Sequence, residues 1–313
     1  MIPGPVLRPP PDIASWVPAL LPRVEAALGT GPVTLAPWRQ GTDFAVLRAG
    51  AAGARYALRV PLRETTRTGY DGFTDFARVI RREVVLHRLL AAAGVPAPRV
   101  VAWERREEPG GHSWMLADLV EHDECAALDT EQQRSLGRLA RTIHTLRPRR
   151  EPGLAELRAA GRPTALLSRA LNRYRRAAGL YPLPPAELIE PALREAILGA
   201  GGDSLLHMDL RPDNLCFRGS GIVGVLDLAN SLVGPPAAEL GRVYAHGLLT
   251  PAFLDGYGGL EEGRDGALTR RTVRAHAVDP LASQVALAAG RPAGRAALQA
   301  HGLRLAAVAQ TLL

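Results

Sequence analysis

The chain contains no lysine: all 38 of its Lys and Arg positions are arginine. With abundant Ala, Gly and Pro, that pattern reads as codon bias in a GC-rich genome and not as a functional choice. The net charge of +7 therefore does not point to nucleic acid. The arginines are spread along the whole sequence, without the aromatic-interleaved clusters that strand binding favours. Cysteine is nearly absent too. Cys125 and Cys216 are the only two, and neither stands in a metal-ligand spacing, so a zinc module and a disulfide framework are both excluded. Long apolar runs are missing: the stretch from Val278 to Gly290 is broken by Asp279, Pro280 and Gln284, and no segment is expected to span a bilayer. The start, Met1 to Pro11, lacks an apolar signal core and reads as a loose arm. A cytoplasmic location is the expectation.

What is present is ordinary for a soluble globular protein: 313 residues, 47% hydrophobic and 22% charged. That length can bury a sizeable core and hold two lobes. The most informative run is His207-Met208-Asp209-Leu210-Arg211-Pro212-Asp213-Asn214, an H-x-D-x-x-x-x-N pattern. Apolar Leu205-Leu206 precedes it and Leu215-Cys216-Phe217 follows. Arg218 to Gly221 reads as a turn, and Ile222 to Leu226 as a returning strand that ends on Asp227. A core histidine, two turn formers after a proline and a strand-end cap would account for each residue separately. They do not account for the joint spacing, which is what a kinase-type phosphoryl-transfer site requires. In that reading Asp209 orients an acceptor hydroxyl and takes its proton, while Asn214 and Asp227 hold Mg²⁺. His207 braces the loop by hydrogen bonding. Cys216, on an apolar strand, reads as a small buried hydrophobe.

These residues resemble the aminoglycoside phosphotransferase and choline kinase group, small-molecule kinases distantly related to protein kinases. That group commonly writes the stretch as H-G-D-L-x-x-x-N, then a strand ending in I-D-F or I-D-W, then G-D-P-x-x-D-L. Here the three parts are HMDLRPDN, VLDLAN and GPPAAEL. Met208 replaces a usually small residue, and Glu239 stands where Asp is common, keeping the carboxylate but moving it outward by a methylene. The resemblance implies an α+β, bilobal, protein-kinase-like fold, with an antiparallel sheet plus helix in the N-lobe and a largely helical C-lobe. The expected division is residues 1–116 as nucleotide-binding lobe, 117–121 as hinge, and 122–313 as catalytic and acceptor-binding lobe.

The N-terminal third fits that expectation. Asp12 to Leu28 carries a helical stripe of Ile13, Trp16, Val17, Leu20, Val24 and Leu28, and Gly29 stops it. Strands follow from Thr34, over Phe44 to Ala49, and over Arg55 to Pro61. Gly41 lies in the first turn, where backbone N–H groups would cover nucleotide phosphates; Asp43 stands roughly where the resembling group has Asn. Arg59 occupies the third strand at the place of the phosphate-gripping lysine of protein kinases. Glu83, read as opening a helix over 83–90, is its natural ion-pair partner. Val100 to Glu104 and Ser113 to Leu119 are further candidate strands, joined by a turn over 105–111. Backbone groups near Asp118 and Val120 would contact the adenine.

Beyond the hinge, helices are expected over Thr130 to Leu146, Thr164 to Ala178 and Pro185 to Leu198, and again after Leu240. His144 near the end of the first reads as a packed histidine at least as readily as a catalytic one. The function implied is an ATP- or GTP-dependent transfer of the γ-phosphoryl group to a hydroxyl of a small molecule, antibiotic or metabolite, by a monomer or homodimer without nucleic-acid or membrane partners. A nucleotide-binding pseudokinase with a regulatory role is the alternative. Residues 151–200 hold seven arginines against five acids, and 251–313 again seven against five. That balance leans away from a polycationic acceptor and towards a neutral or anionic one.

Overall fold

The computed structural model describes residues 12–68, 72–106, 111–125, 127–148, 151–260, 268–291 and 294–313. The arm over 1–11 and most of the turn over 105–111 lie outside them. The chain divides into two compact units, residues 1–88 with 98–120, and residues 89–97 with 121–313.

The first unit opens with a short 3₁₀ turn capped by Asp12 and the helix α1 (Val17–Leu28), which ends on left-handed Gly29. Strands β1 (Thr34–Gln40), β2 (Phe44–Ala51) and β3 (Ala54–Pro61) follow. Next come a small hairpin of β4 (Thr65–Thr68) and β5 (Gly72–Asp75), helix α2 (Phe76–Ala92), and strands β6 (Val100–Glu104) and β7 (Trp114–Asp118). The main sheet is antiparallel throughout, in the order β1-β2-β3-β7-β6. One of its faces carries Leu47, Leu58, Val60 and Leu116, packed on Leu20 and Val24 of α1. This register puts Arg59 at the centre of the sheet, opposite Val46 on one side and Met115 on the other.

Two differences from the sequence expectation have plain causes. The β4–β5 hairpin is not anticipated, because four-residue strands rich in Thr carry no apolar alternation. Helix α2 begins at Phe76 and not at Glu83, which makes Glu83 a mid-helix residue. Asp75 accepts a hydrogen bond from the Arg78 amide at 3.2 Å and caps the start. Arg78 and Arg81 interrupt the apolar run in the linear sequence but project outward, while Phe76, Val79, Ile80 and Val84 form a buried stripe.

The second unit is mostly helical: α3 (Thr130–Thr145), α4 (Ala155–Gly161), α5 (Pro163–Ala178) and α6 (Ala186–Gly199) come before the motif region. Strand β8 (Ser204–Leu206), the hairpin of β9 (Leu215–Arg218) and β10 (Gly221–Val225), and β11 (Leu232–Gly234) carry that region. Helices α7 (Pro236–Ala245), α8 (Pro251–Tyr257), α9 (Arg270–Ala289) and α10 (Arg295–Gln310) complete the unit. Asp129 and Gln132 form a capping box that starts α3. The core gathers Leu166, Leu171 and Tyr174 of α5, Ile189 and Leu193 of α6, and Val278, Leu281 and Val285 of α9. At Gly241 a Cβ would lie 2.6 Å from the backbone of His276, so only glycine lets α7 and α9 approach this closely. Both cysteines are free thiols, Cys216 buried. Among the described residues no helix is long and apolar enough to cross a membrane.

Candidate active site

In the second unit the H-x-D-x-x-x-x-N run leaves β8 as a loop, tightens into a 3₁₀ turn over Pro212–Asn214, and enters the β9–β10 hairpin. The chain past Asp227 returns as β11 and pairs antiparallel with β8, Leu232 opposite Leu206. Both ends of the motif are thereby tied to one short ladder. The Leu226 amide donates to the Asn214 carbonyl at 2.9 Å, which holds the residue before Asp227 against the end of the loop.

Side chains complete the arrangement. Asn214 Nδ2 donates to the Asp209 carbonyl at 3.0 Å and to its carboxylate Oδ2 at 2.8 Å. This fixes the carboxylate and turns the Asn214 carbonyl oxygen away from it. The other oxygen, Oδ1, stands 3.3 Å from Arg211 Nε. His207 uses both ring nitrogens: Nδ1 accepts from the Asp209 amide at 3.2 Å, and Nε2 donates to the Leu226 carbonyl at 2.9 Å. That pattern selects the neutral Nε2–H tautomer. His207, Asp209 and Asn214 are all buried.

Beneath this loop lies Glu239 of α7, fully buried. Its Oε2 accepts from the His207 amide at 2.9 Å and its Oε1 from the Met208 amide at 2.5 Å. His144 Nε2 donates to Oε2 at 3.0 Å, and Tyr257 bonds His144 Nδ1 at 2.9 Å. Burial by itself would push the Glu239 carboxyl up. The hydrogen bond from His144, the electrostatic pull of His144 and His207, and the His207 amide outweigh it and hold the group below its ordinary range. Arg242, one turn further along α7, donates to the Met208 carbonyl at 2.7 Å. Two non-glycine residues sit in the left-handed region here, Met208 at φ 65° and Asp227 at φ 60°. Each such residue costs on the order of 1–3 kcal/mol and persists only where its surroundings over-determine it.

In the first unit, Arg59 Nη1 meets Glu83 Oε1 at 3.1 Å, with the Glu83 side chain fully buried and Arg59 15% exposed. The guanidinium lies over the Phe44 ring, 3.9 Å from its centroid, and Phe76 packs edge-on against Phe44. The guanidinium is thus oriented by an aromatic face as well as a carboxylate. Gly41 closes the β1–β2 turn by donating to the Phe44 carbonyl at 2.8 Å. Asp43 pairs with Arg63 at 3.1 Å, both half exposed. Asp118 ends β7, where Arg99 grips its carboxylate through two nitrogens, and its amide donates to the Arg99 carbonyl at 3.0 Å. Val120 follows two residues after the strand.

The structure thus brings Asp209, Asn214 and His207 into one hydrogen-bonded loop that reaches Leu226 beside Asp227, and it pairs Arg59 with Glu83. Asp43 and Asp118 have arginine partners of their own. Sequence reasoning registered Glu239 only as a carboxylate standing where the resembling group often has Asp, and it missed the clamp that Glu239, His144 and Tyr257 make beneath the loop. The available signal was chemical: Glu239 and Arg242 are charges one turn apart on a helix otherwise made of Ala, Leu, Gly and Val at that face. A metal-binding group of three or more His, Cys, Asp or Glu is not present among the described residues.

This geometry agrees with what the chain resembles. The family model described as "Phosphotransferase enzyme family" matches residues 34–306. No curated protein matches the sequence. Solved structures match over nearly the full length. A protein from Thermobifida fusca YX-ER1, provisionally assigned as a fructosamine-3-kinase, aligns at 19% identity over 94% of this chain and 98% of its own, with a TM-score of 0.62. A thermostable mutant of aminoglycoside phosphotransferase APH(4)-Ia, solved with ADP and hygromycin B, aligns at 12% identity over 94% and 98%, with a TM-score of 0.60. Macrolide 2'-phosphotransferase MphH from Brachybacterium faecium aligns at 22% identity over 94% and 97%, with a TM-score of 0.52. At such identities the structures establish the fold, which is bilobal and protein-kinase-like, with a five-stranded antiparallel sheet in the N-terminal part and many helices after it. The sequence match extends over most of the chain, and the protein belongs to the phosphotransferase enzyme family.

Proposed function

We propose that the protein transfers the γ-phosphoryl group of ATP or GTP to a hydroxyl of a small molecule. The observation that carries this reading is the Asn214 amide bonded to the Asp209 carboxylate, on a loop whose backbone amides are held by Glu239. Asp209 Oδ2 is committed to Asn214, so Oδ1 is the oxygen that orients the acceptor hydroxyl and takes its proton. The hydroxyl oxygen then bonds to the γ-phosphorus as the bond to the β,γ-bridging oxygen breaks, and the nucleoside diphosphate leaves. Arg211 Nε stands beside Oδ1. His207 acts on position alone, since both its nitrogens are engaged.

Asn214 and Asp227 supply the oxygen donors that Mg²⁺ prefers. Two protein ligands are the usual number, because this ion completes its shell with water and phosphate oxygens. The fit is chemical: the Asn214 nitrogen points at Asp209, leaving its oxygen for a cation. Bound there, the ion would neutralise phosphate charge. Arg59, held by Glu83 and Phe44, is assigned to the nucleotide phosphates, with the backbone around Gly41 and Asp43 covering them. Residues 117–121, with the backbone at Asp118 and Val120, are assigned as the hinge that meets the base. The reaction is placed in the cytoplasm, where nucleoside triphosphate is available.

The test is nucleotide-dependent phosphate transfer to a panel of hydroxyl acceptors by the wild type and by Asp209→Asn. Transfer by the wild type and a loss of roughly a hundredfold or more in kcat for the variant, with nucleotide binding kept, is the expected result. A variant retaining more than about a tenth of activity would remove Asp209 from the chemistry. Nucleotide binding without turnover on any acceptor would favour a pseudokinase.

A further inference from the structure

The contacts beneath the catalytic loop extend two residues beyond the carboxylate that holds it. Glu239 takes the His207 and Met208 amides, but it also receives His144 of α3, which in turn meets Tyr257 of α8. All three side chains are buried. Their chemistry fixes where the protons sit. Glu239 is held ionised and can only accept, so His144 Nε2 carries the ring proton that it donates. The Tyr257 hydroxyl is pushed up by burial and keeps its proton. It therefore donates to His144 Nδ1, which in the Nε2–H tautomer is a lone pair.

The packing of α3 on α8 is built for this contact. At Gly137 of α3 a Cβ would overlap the Phe253 carbonyl, and at Gly256 of α8 one would overlap the Arg134 carbonyl. A glycine on each helix thus lets the two backbones touch. Phe253 stacks on the Tyr257 ring, 11° from parallel with centroids 6.0 Å apart. The His144 ring meets the phenol edge-on, at 75°, and Arg141 of α3 donates to the Tyr257 carbonyl at 3.3 Å. The phenol is held by ring, ring and backbone, with its hydroxyl aimed at one nitrogen.

We propose that Tyr257 is a positioning residue of the phosphoryl-transfer site: by donating to His144 Nδ1 it selects the tautomer that donates to Glu239, and so fixes the backbone from which Asp209 projects. Without the hydroxyl, Nδ1 is a buried lone pair with its donor removed, and the imidazole loses the bond that sets its plane. Glu239 then holds the two loop amides less firmly, because linked buried hydrogen bonds support one another. The effect on turnover rests on the kinase reading; the anchoring of the loop does not.

The experiment compares wild type, Tyr257→Phe, His144→Gln and the double variant, at a temperature where thermal unfolding shows each to be folded. Tyr257→Phe keeps the stacked ring and removes only the hydroxyl, while Gln at 144 keeps an N–H donor but has no ring tautomer to select. Tyr174→Phe is the control: this buried tyrosine of α5 donates instead to the Pro184 carbonyl, at 2.9 Å. Tyr257→Phe should lower kcat about tenfold, the equivalent of one buried hydrogen bond, and leave the KM for nucleotide within about twofold. Hydrogen exchange at the His207 and Met208 amides should rise about tenfold, and Tyr174→Phe should change neither kcat nor that exchange. Added to His144→Gln, Tyr257→Phe should cost less than about twofold. Unchanged kcat in Tyr257→Phe, an equal loss in Tyr174→Phe, or a loss undiminished in the His144→Gln background would overturn the positioning role. Unchanged exchange at His207 and Met208 would overturn the anchoring. A wild type that transfers phosphate to no acceptor, with the exchange change present, would instead reject the kinase reading and leave the anchoring of the loop standing.

Discussion

The Arg59–Glu83 pair offers a perturbation whose magnitude follows from burial. Glu83 is fully buried in the middle of α2, and Arg59 is 15% exposed at the centre of the sheet. Arg59→Ala takes the guanidinium from a buried carboxylate, and breaking such a pair on one side costs about 3–5 kcal/mol. Glu83→Ala is milder, about 1–3 kcal/mol, because the guanidinium keeps the Phe44 ring and a path to water. The double variant Arg59→Ala/Glu83→Ala has no stranded charge and should cost less than the sum of the singles by roughly 1–3 kcal/mol. Urea unfolding followed by tryptophan fluorescence measures all four proteins, Trp114 being buried in β7 of the same sheet. In turnover, Arg59→Ala should raise the KM for nucleotide and lower kcat, Glu83→Ala should do so more mildly, and Arg59→Lys should keep a fraction of activity, with charge retained and fork geometry lost. Additivity of the two alanine variants within about 0.5 kcal/mol would show that the pair does not interact, and the assignment of Arg59 to the phosphates would lose its positioning partner.

Three other outcomes are expected. Asp227→Ala should abolish the Mg²⁺ dependence of nucleotide binding in calorimetry and Asn214→Ala should weaken it less; unchanged metal dependence in Asp227→Ala would remove it from the metal site. Glu239→Gln should lower both stability, by about 2–4 kcal/mol because a buried amide cannot accept from three donors, and kcat; since the folded Glu239 titrates below its ordinary 4.5, its stabilisation is present above that value and fades as pH falls below it, so the variant's unfolding free energy should be flatter than the wild type's in acid. His276 is depressed from 6.5 to about 4, so the unfolded chain binds its proton first: stability should rise with pH across this window by about 3 kcal/mol, and His276→Gln should remove that slope in acid-to-neutral unfolding curves.

The sequence was legible where spacing and chemistry coincide. The loop over His207–Asn214 and the strand before Asp227 could be read because polar residues at fixed spacing are flanked by apolar Leu205-Leu206 and Leu215-Cys216-Phe217, which marked the strands. Of the helices in the second unit, α3, α5 and α6 were legible within a residue, as amphipathic stripes long enough to show their period, whereas the seven-residue α4 was not read and α7 begins at Pro236, ahead of Leu240. Asp43 shows the limit: a position in a turn was readable, but its Arg63 partner lies across the sheet from it in sequence. The start of α2 was obscured because outward arginines interrupt the apolar run, and a helix face is visible only after the chain is wound. The Glu239 clamp was hidden for a different reason. Its donors are backbone amides, which every residue possesses, so no pattern of side chains announces them. The ion pairs of Arg169 and Arg173 with Asp279 join α5 and α9, and pairing over about a hundred residues leaves no local trace.

Met208 shows how these parts depend on one another. Its place is commonly taken by a small residue in the resembling group, and its φ of 65° gives the reason: the loop needs a left-handed turn there, which a side chain resists. The strain, on the order of 1–3 kcal/mol, is met by bonds that hold the same residue from both ends. Glu239 takes its amide and Arg242 its carbonyl, each a charge-assisted bond worth about 1.5–3 kcal/mol. The side chain that creates the strain is also put to use, since it is buried in the core shared by α5, α6 and α9. A glycine would relax the backbone but leave the place of that side chain in the core empty. The methionine therefore couples the conformation of the loop at Asp209 to the packing around Arg169 and His276.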